Sequence, residues 1–167
     1  MSALAERLGL VQAGIADAAA SAGRSADEIT TIVVTKFHPA SMLRELYGLG
    51  VRDFGENRHQ EAQAKAAELH DLDLRWHFIG QLQSKKARQV REYASVIHSL
   101  DRDSVVDALA SPEGSIDCFV QLNLTDDPGR GGAQDRDLET IAERVLATPG
   151  LHLLGVMAVA PVGEEPR

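Results

Sequence analysis

The stretch TIVVTKFHPASMLRELYGLG, residues 31–50, contains the unit from which the fold is predicted. Its first five residues are all β-branched and predict a short strand that ends at Lys36. Pro39 and Ser41 then introduce a helical pattern of apolar residues, which Gly50 ends. The stretch therefore predicts a strand, a loop and a helix in that order.

The same order recurs on both sides of this stretch. A helix predicted at 4–22 precedes it, followed by a capping-box pattern of Ser25 and Glu28. The further predicted strands are 51–54 (with the turn 55–57), 75–79, 96–99, 116–124 and 151–159, and the further predicted helices are 60–69, 84–94, 103–110 (with Asp101 as N-cap) and 137–147. Strands that alternate with helices through short connections predict an α/β fold of parallel βαβ units.

Two architectures accommodate such units: an open doubly wound sheet and a (β/α)8 barrel. No G-x-G-x-x-G follows the first strand, so the main reason to prefer a dinucleotide-binding sheet is missing. A barrel needs eight units and typically about 200–250 residues, so a barrel would require units beyond those seen here. No linker or low-complexity segment marks a second domain, and residues 1–167 are expected to form one domain.

The composition disfavours several classes of protein. The chain has 17 Lys and Arg against 25 Asp and Glu, and this net charge of −8 argues against non-specific binding to nucleic acid or anionic membranes. No stretch approaches the roughly 20 apolar residues of a membrane span, and the N-terminus lacks the pattern of a signal peptide. Cys118 is the single cysteine and is predicted to be a core residue, and the six histidines are scattered, so no metal site is predicted. We expect a cytoplasmic protein.

Residues at the carboxyl ends of the predicted strands are the candidate binding groups, because ligands of parallel α/β folds bind there. They are Lys36, Glu56, Asn57, His77, the run 80–83, Asn123 and Met157. Lys36 has two interpretations: its amine forms a Schiff base with a carbonyl compound, or it extends into solvent or meets a carboxylate such as Glu56. Spacing alone does not decide between them.

Six ordered segments carry a resemblance to a known family. They are IVVTK (32–36), FGEN (54–57), WHFIGQLQSKK (76–86), HSLDR (98–102), QLNL (121–124) and GVMA (155–158). Together they resemble the pyridoxal 5′-phosphate (PLP) homeostasis protein family. The resemblance implies a (β/α)8 TIM-type barrel similar to the N-terminal domain of alanine racemase, present here as about six βα units with the C-terminal units missing.

The resemblance also implies a function without turnover and without catalytic residues. PLP would be held as an internal aldimine on Lys36, and the protein would take part in intracellular vitamin B6 homeostasis as a monomer, with PLP-dependent apoenzymes as partners. The segments that bind the phosphate group in the family are absent before the sequence ends at residues 166–167. Six strands would also leave a long apolar strand edge exposed, so we expect weak cofactor binding and poor solubility from this chain alone.

Asn57 and His77 are the other expected cofactor contacts. The alternative for Asn57 is an N-cap of the helix that begins near Gln60, and the alternative for His77 is a hydrogen-bonded core histidine. Anion binding by Arg130 in the loop 126–132 is a further hypothesis, and a mobile turn explains the same residues equally well. The basic residues 85–91 are expected to form a solvated face, with attraction of a phosphate group as the alternative.

A barrel enzyme is the competing hypothesis. A racemase-like or Schiff-base aldolase-like enzyme would use the same Lys36. Racemisation needs a second base across the substrate, which alanine racemases take from an additional domain. An aldolase would carry no resident chromophore, so the absorbance of the protein separates it from a PLP carrier. A scaffold in which Lys36 has no role is the third class.

Overall fold

The computed structural model describes residues 2–125, 127–161 and 163, and its central feature is a parallel β-sheet. In this part of the chain the six strands are β1 Val33–Val34, β2 Asp53–Glu56, β3 Arg75–Phe78, β4 Val96–Leu100, β5 Ile116–Leu122 and β6 Leu151–Ala158. The α-helices of the same residues are α1 Ala3–Ser21, α2 Ala40–Gly48, α3 His59–Glu68, α4 Ala87–Arg91, α5 Asp103–Leu109 and α6 Asp135–Ala147. Short 3-10 helices cover Ala26–Glu28, Ser84–Lys86 and Pro128–Arg130. None of the helices in the described residues is long and apolar enough to cross a membrane.

The strands are hydrogen-bonded in chain order from β1 to β6, and every pair is parallel. A doubly wound sheet reverses its strand order so that helices cover both faces. Sequential right-handed crossovers instead place the connecting helices on one face, as in a barrel. The described residues therefore have the barrel type of winding, as predicted, and the doubly wound alternative is wrong.

One face of the sheet packs against the helices through two apolar clusters. The first joins α2 to the early strands and contains Leu43, Leu46, Phe54 and Trp76. The second joins α4, α5 and α6 to the later strands, and Cys118 lies buried in it, as predicted. Burying one Leu or Phe side chain contributes about 1.5–3 kcal/mol, so these clusters hold the helices on this face.

The opposite, inner face of the sheet carries Ile32, Val34, Gly55 and Ile79 at its β1–β3 end. A Cβ atom on Gly55 would lie 3.2 Å from Ile32 Cγ2 and 3.3 Å from both Val34 Cγ2 and Ile79 Cδ1. These apolar side chains already fill the space that a larger residue at position 55 would need. Val34 is still 44% exposed, so the inner face is open to solvent at β1.

Several element boundaries differ from the predictions because tertiary contacts override the local pattern. The strand predicted at 51–54 is Asp53–Glu56. Gly55, predicted to begin a turn, lies within the strand because the side chains around it on the inner face leave room for a glycine. The helix predicted at 84–94 contains only five α-helical residues, Ala87–Arg91. Asp101 is not the N-cap of α5; Arg102 takes that position, and Asp101 Oδ2 accepts the Gly132 N–H at 3.2 Å.

Candidate functional site

Lys36 lies in the turn that follows β1, and it is exposed. No ion pair among the described residues involves its amine. The interpretation in which Lys36 meets Glu56 is wrong, because the cation bound to Glu56 is Lys65. An amine at a strand end that no carboxylate engages is available to a carbonyl ligand.

A buried charged cluster lies behind this turn and is formed by Thr35, Glu56, Glu61 and Lys65. Lys65 and Glu56 are 6% and 1% exposed, and Lys65 Nζ donates to Glu56 Oε1 at 2.6 Å. Lys65 Nζ also donates to Glu61 Oε1 and to the Thr35 carbonyl, each at 2.8 Å. Thr35 Oγ1 donates to the same Glu56 oxygen at 2.7 Å. All three ammonium protons therefore have an acceptor, which a buried charge requires.

Sequence analysis missed Lys65 and Glu61. Their i,i+4 spacing on α3 was the available signal, but the same spacing is typical of exposed helical ion pairs. In the structure the hydrogen bond from Lys65 lowers the pKa of the Glu61 carboxyl, because it stabilises the charged form. The Glu61 carboxyl thus stays ionised around neutral pH.

Asn57 directly follows β2 and does not cap the next helix. The N-cap of α3 is Arg58, and no side chain makes a capping hydrogen bond there. Asn57 Oδ1 is buried and has no hydrogen-bond partner among the described residues. Since an unpaired buried polar atom destabilises a protein by about 1–3 kcal/mol, this oxygen fits a donor from a ligand or water. The helix-cap interpretation is therefore wrong, and the cofactor contact stays a prediction.

Gly80 brings the chain after β3 against the backbone of Asn57. A Cβ atom on Gly80 would lie 2.0 Å from the Asn57 carbonyl oxygen and 2.7 Å from its carbonyl carbon. No rotamer change could relieve this overlap, because both atoms belong to the backbone. The close approach explains the glycine in WHFIG, residues 76–80.

The strand register places Lys36 and Asn57 at the same height along the sheet. Val34 pairs with Gly55, which in turn pairs with His77. Lys36 and Asn57 each lie two residues further toward the carboxyl ends of their strands. The structure thus brings Lys36 and Asn57 to the same end of neighbouring strands. His77 lies within β3, at the level of Val34 and Gly55, which is two residues nearer the amino ends of the strands.

His77 is buried and belongs to a hydrogen-bonded chain of three side chains. Its Nε2 lies 2.8 Å from Asp53 Oδ1, and its Nδ1 lies 2.9 Å from His98 Nε2. The Asp53 carboxylate can only accept, so His77 Nε2 carries the proton and His77 Nδ1 accepts from His98. One carboxylate thereby sets the tautomers of both rings. These are the contacts of a hydrogen-bonded core histidine, and a cofactor contact of His77 stays a prediction.

Burial lowers the pKa values of both histidines. Burial, with smaller contributions from His77 and Arg75, lowers the pKa of His98 to about 4. Burial also lowers the pKa of His77, although the hydrogen bond to Asp53 opposes this change. Between the ordinary histidine pKa of 6.5 and about 4, the unfolded chain binds a proton at His98 that the folded chain does not. The folded state therefore loses stability as the pH falls through that range.

We expect the folding stability of His98→Gln to fall less than that of the wild type as the pH is lowered. One buried histidine lowers the folding equilibrium constant by up to about tenfold for each pH unit in this range, and Gln does not titrate. Urea unfolding between about pH 5 and pH 7 measures the difference, with His38→Gln as the control because His38 is exposed. Equal pH dependence in the wild type and His98→Gln would contradict the lowered pKa.

The glycine-rich loop after β5 is organised by Asn123. Asn123 Oδ1 accepts hydrogen bonds from the Thr125 N–H at 2.9 Å and from the Thr125 hydroxyl at 2.8 Å. The Arg130 guanidinium donates to the Ala160 carbonyl at 3.2 Å. Asp126, the first residue of the predicted anion loop, lies outside the described residues. Anion binding by Arg130 stays a prediction.

The basic residues 85–91 do not share one solvated face. Lys85 is exposed, as expected. Arg91 instead donates to the carbonyl of Leu109, the last residue of α5, and to three backbone carbonyl groups in the loops that precede β5 and β6. The expected solvated face is therefore wrong for Arg91, which joins two loops at the amino ends of the strands.

A pocket of about 210 Å³ opens beside Asn57, beyond the carboxyl ends of β2 and β3. Arg58, Gln60, Gln81 and Lys86 are among the residues that line it. Such amide and cationic side chains suit hydrogen-bonding, anionic groups. No group of His, Cys, Asp and Glu in the described part of the chain is arranged to hold a metal ion.

Comparison with known sequences finds relatives over nearly the whole chain. Residues 7–167 match the family described as alanine racemase, N-terminal domain. The pyridoxal phosphate homeostasis protein of Pseudomonas aeruginosa is 40% identical over 163 residues, which cover 95% of this chain and 71% of that protein. The protein of the same name from Escherichia coli K12 is 37% identical, with coverage of 100% and 75%.

The fold is also similar to that of PipY from Synechococcus elongatus PCC7942. The PipY structure without PLP has a TM-score of 0.79 at 34% identity and covers 97% of this chain and 73% of PipY. The structure with PLP bound has a TM-score of 0.74 at 36% identity, with coverage of 90% and 72%. The predicted fold, similar to the alanine racemase N-terminal domain with about six βα units, is confirmed.

Proposed function

We propose that this chain, which belongs to the pyridoxal phosphate homeostasis protein family, binds PLP through Lys36 and takes part in PLP homeostasis. The observation that carries the proposal is the exposed Lys36 just after β1, at the same height along the sheet as Asn57, whose Oδ1 has no partner among the described residues. The relative PipY, which has been solved with PLP bound, supports the choice of ligand.

The residues of this end of the sheet fit two requirements of PLP. A protein must offer an amine to its aldehyde and hydrogen-bonding partners to its ring. Lys36 offers the amine. Asn57 Oδ1 offers a buried acceptor with no partner in the described residues, which suits a proton on a ring substituent. His77 is the further proposed contact, and it lies on the inner face at the level of Gly55, two residues before Asn57.

Bound PLP would supply an aldehyde for covalent attachment. The Lys36 nitrogen would form a C=N bond with the aldehyde carbon, and the aldehyde oxygen would leave as water. The relatives named pyridoxal phosphate homeostasis proteins support a carrier without turnover over the racemase-like and aldolase-like alternatives.

The absorbance of the purified protein with added PLP tests the proposal. We expect a visible band in the wild type, its complete loss in Lys36→Ala, and a mass addition on Lys36 after borohydride reduction. Lys85→Ala, which removes an exposed lysine elsewhere, is the matched control and should keep the band. A wild-type protein that gains no band, or a band that persists unchanged in Lys36→Ala, would refute the proposal.

We further propose, on the family resemblance, a single-domain cytoplasmic monomer that passes PLP to PLP-dependent apoenzymes. Racemase and transaminase assays of the PLP-loaded protein test the absence of turnover, and sedimentation tests the monomer. Transfer is tested by mixing the loaded protein with an apoenzyme. Activity should return faster than from an equal amount of free PLP if transfer is direct.

A further inference from the structure

The two peptide groups that flank Lys36 are each bonded to a side chain of α3. On the N-terminal side, the Thr35 carbonyl accepts a hydrogen bond from Lys65 Nζ at 2.8 Å. On the C-terminal side, the Phe37 N–H donates to Glu61 Oε1 at 2.6 Å. Lys65 and Glu61 are themselves paired at 2.8 Å, so one ion pair spans both peptide groups.

The turn needs such support because its backbone is unfavourable. Phe37 has a φ of 67°, in the left-handed region that residues with a side chain rarely adopt. Phe37 is 67% exposed, and the Arg58 guanidinium carbon lies 4.8 Å from the centroid of its ring, so the side chain is not packed into the core. The His38 N–H closes the turn by donating to the Thr35 carbonyl at 3.0 Å. The hydrogen bond of the Phe37 N–H to Glu61 is the side-chain contact that supports this conformation.

We propose that Glu61 and Lys65 are positioning residues that hold the turn around Lys36 and thereby set how readily its amine attaches PLP. The inference rests on the proposed function. Both residues act through the backbone of Thr35 and Phe37. An amine on an ordered turn loses less conformational freedom when it binds a ligand than one on a mobile turn.

Glu61 offers the cleaner test of the two residues. Lys65 is buried with Glu56, so its replacement threatens folding, whereas the Glu61 side chain is 23% exposed at the edge of the cluster. Glu61→Ala removes the acceptor of the Phe37 N–H, and Glu61→Gln keeps an acceptor oxygen there. Glu68→Ala removes the same charge from an exposed position of α3 and is the matched control.

The first measurement uses the cofactor-free protein. Hydrogen exchange of the Phe37 amide should be about tenfold faster in Glu61→Ala, because its hydrogen bond is lost, and near the wild-type rate in Glu61→Gln and Glu68→Ala. The second measurement titrates PLP by absorbance and locates the adduct by mass. Attachment at Lys36 should be about tenfold weaker in Glu61→Ala, because the backbone of about one residue of the loosened turn must become ordered when PLP attaches. Glu61→Gln should partly restore the attachment.

The outcomes separate this inference from the proposed function. If the wild type attaches PLP and Glu61→Ala attaches it equally well, the positioning role is overturned and the proposed function stands. Unchanged Phe37 exchange in Glu61→Ala overturns the positioning role as well. If the wild type attaches no PLP, both proposals fail.

Discussion

Lys65→Met is expected to lower the free energy of unfolding by about 3–5 kcal/mol, because it leaves a buried carboxylate without its cation. Glu56 is 1% exposed, and Lys65 is the one cation paired with it among the described residues. Glu56 Oε2 already has no hydrogen-bond partner there. Met has nearly the length of Lys but cannot donate to Glu56, Glu61 or the Thr35 carbonyl, so all three acceptors lose a partner.

Urea unfolding measures this loss of stability. Lys85→Met makes the same substitution at an exposed residue, and its effect should stay within about 0.5 kcal/mol. Adding Glu56→Gln to Lys65→Met removes the stranded charge and should recover at least about 1 kcal/mol. A loss below about 1 kcal/mol in Lys65→Met would contradict the view that this ion pair is effectively shielded from water.

Gly80→Ala is expected to lower the free energy of unfolding by about 3 kcal/mol, because the added methyl group overlaps backbone atoms. The new Cβ atom would lie 2.0 Å from the Asn57 carbonyl oxygen and 2.8 Å from Asn57 Cα. Either the chain after β3 or the segment after β2 must then move. Since Asn57 is a proposed cofactor contact, PLP attachment should also weaken in this variant.

Gly48→Ala is the matched control for this substitution. Gly48 is the last residue of α2, and apart from its chain neighbours and the backbone of its own helix no atom of the described residues lies within 4 Å of a Cβ atom placed there. Alanine at such a helical position should stabilise the protein by about 0.5–1 kcal/mol. If thermal unfolding shows that Gly80→Ala is as stable as the wild type, the close approach of residue 80 to Asn57 is not present in solution.

Most of the strands and helices could be predicted from the local pattern of the sequence. The β-branched run before Lys36 and the helical pattern after it recur along the chain, and the structure contains the predicted alternation of strands and helices. Asp101 shows the limit of this approach. An acidic residue before a helix is a typical N-cap, yet Asp101 accepts a hydrogen bond from Gly132 in a loop distant in sequence.

The candidate site was predictable only in part. Lys36 and Asn57 were found because strand ends and motifs are visible in the sequence, and the register places them at the same height. Lys65 and Glu61 were missed because a buried ion pair and an exposed one have the same helical spacing. Burial distinguishes the two cases, and burial depends on which element packs against α3.

The order of the parallel βα units and the lysine after β1 follow from the amino-acid sequence, because hydrophobic periodicity and strand ends are local properties of the chain. Two features are visible only in the folded chain: Glu56 binds Lys65 and not Lys36, and Asn57 Oδ1 has no partner in the described residues. Those outcomes depend on side chains from β2 and α3 that meet within hydrogen-bonding distance. Spacing along the chain does not specify which of several charged side chains will make that contact.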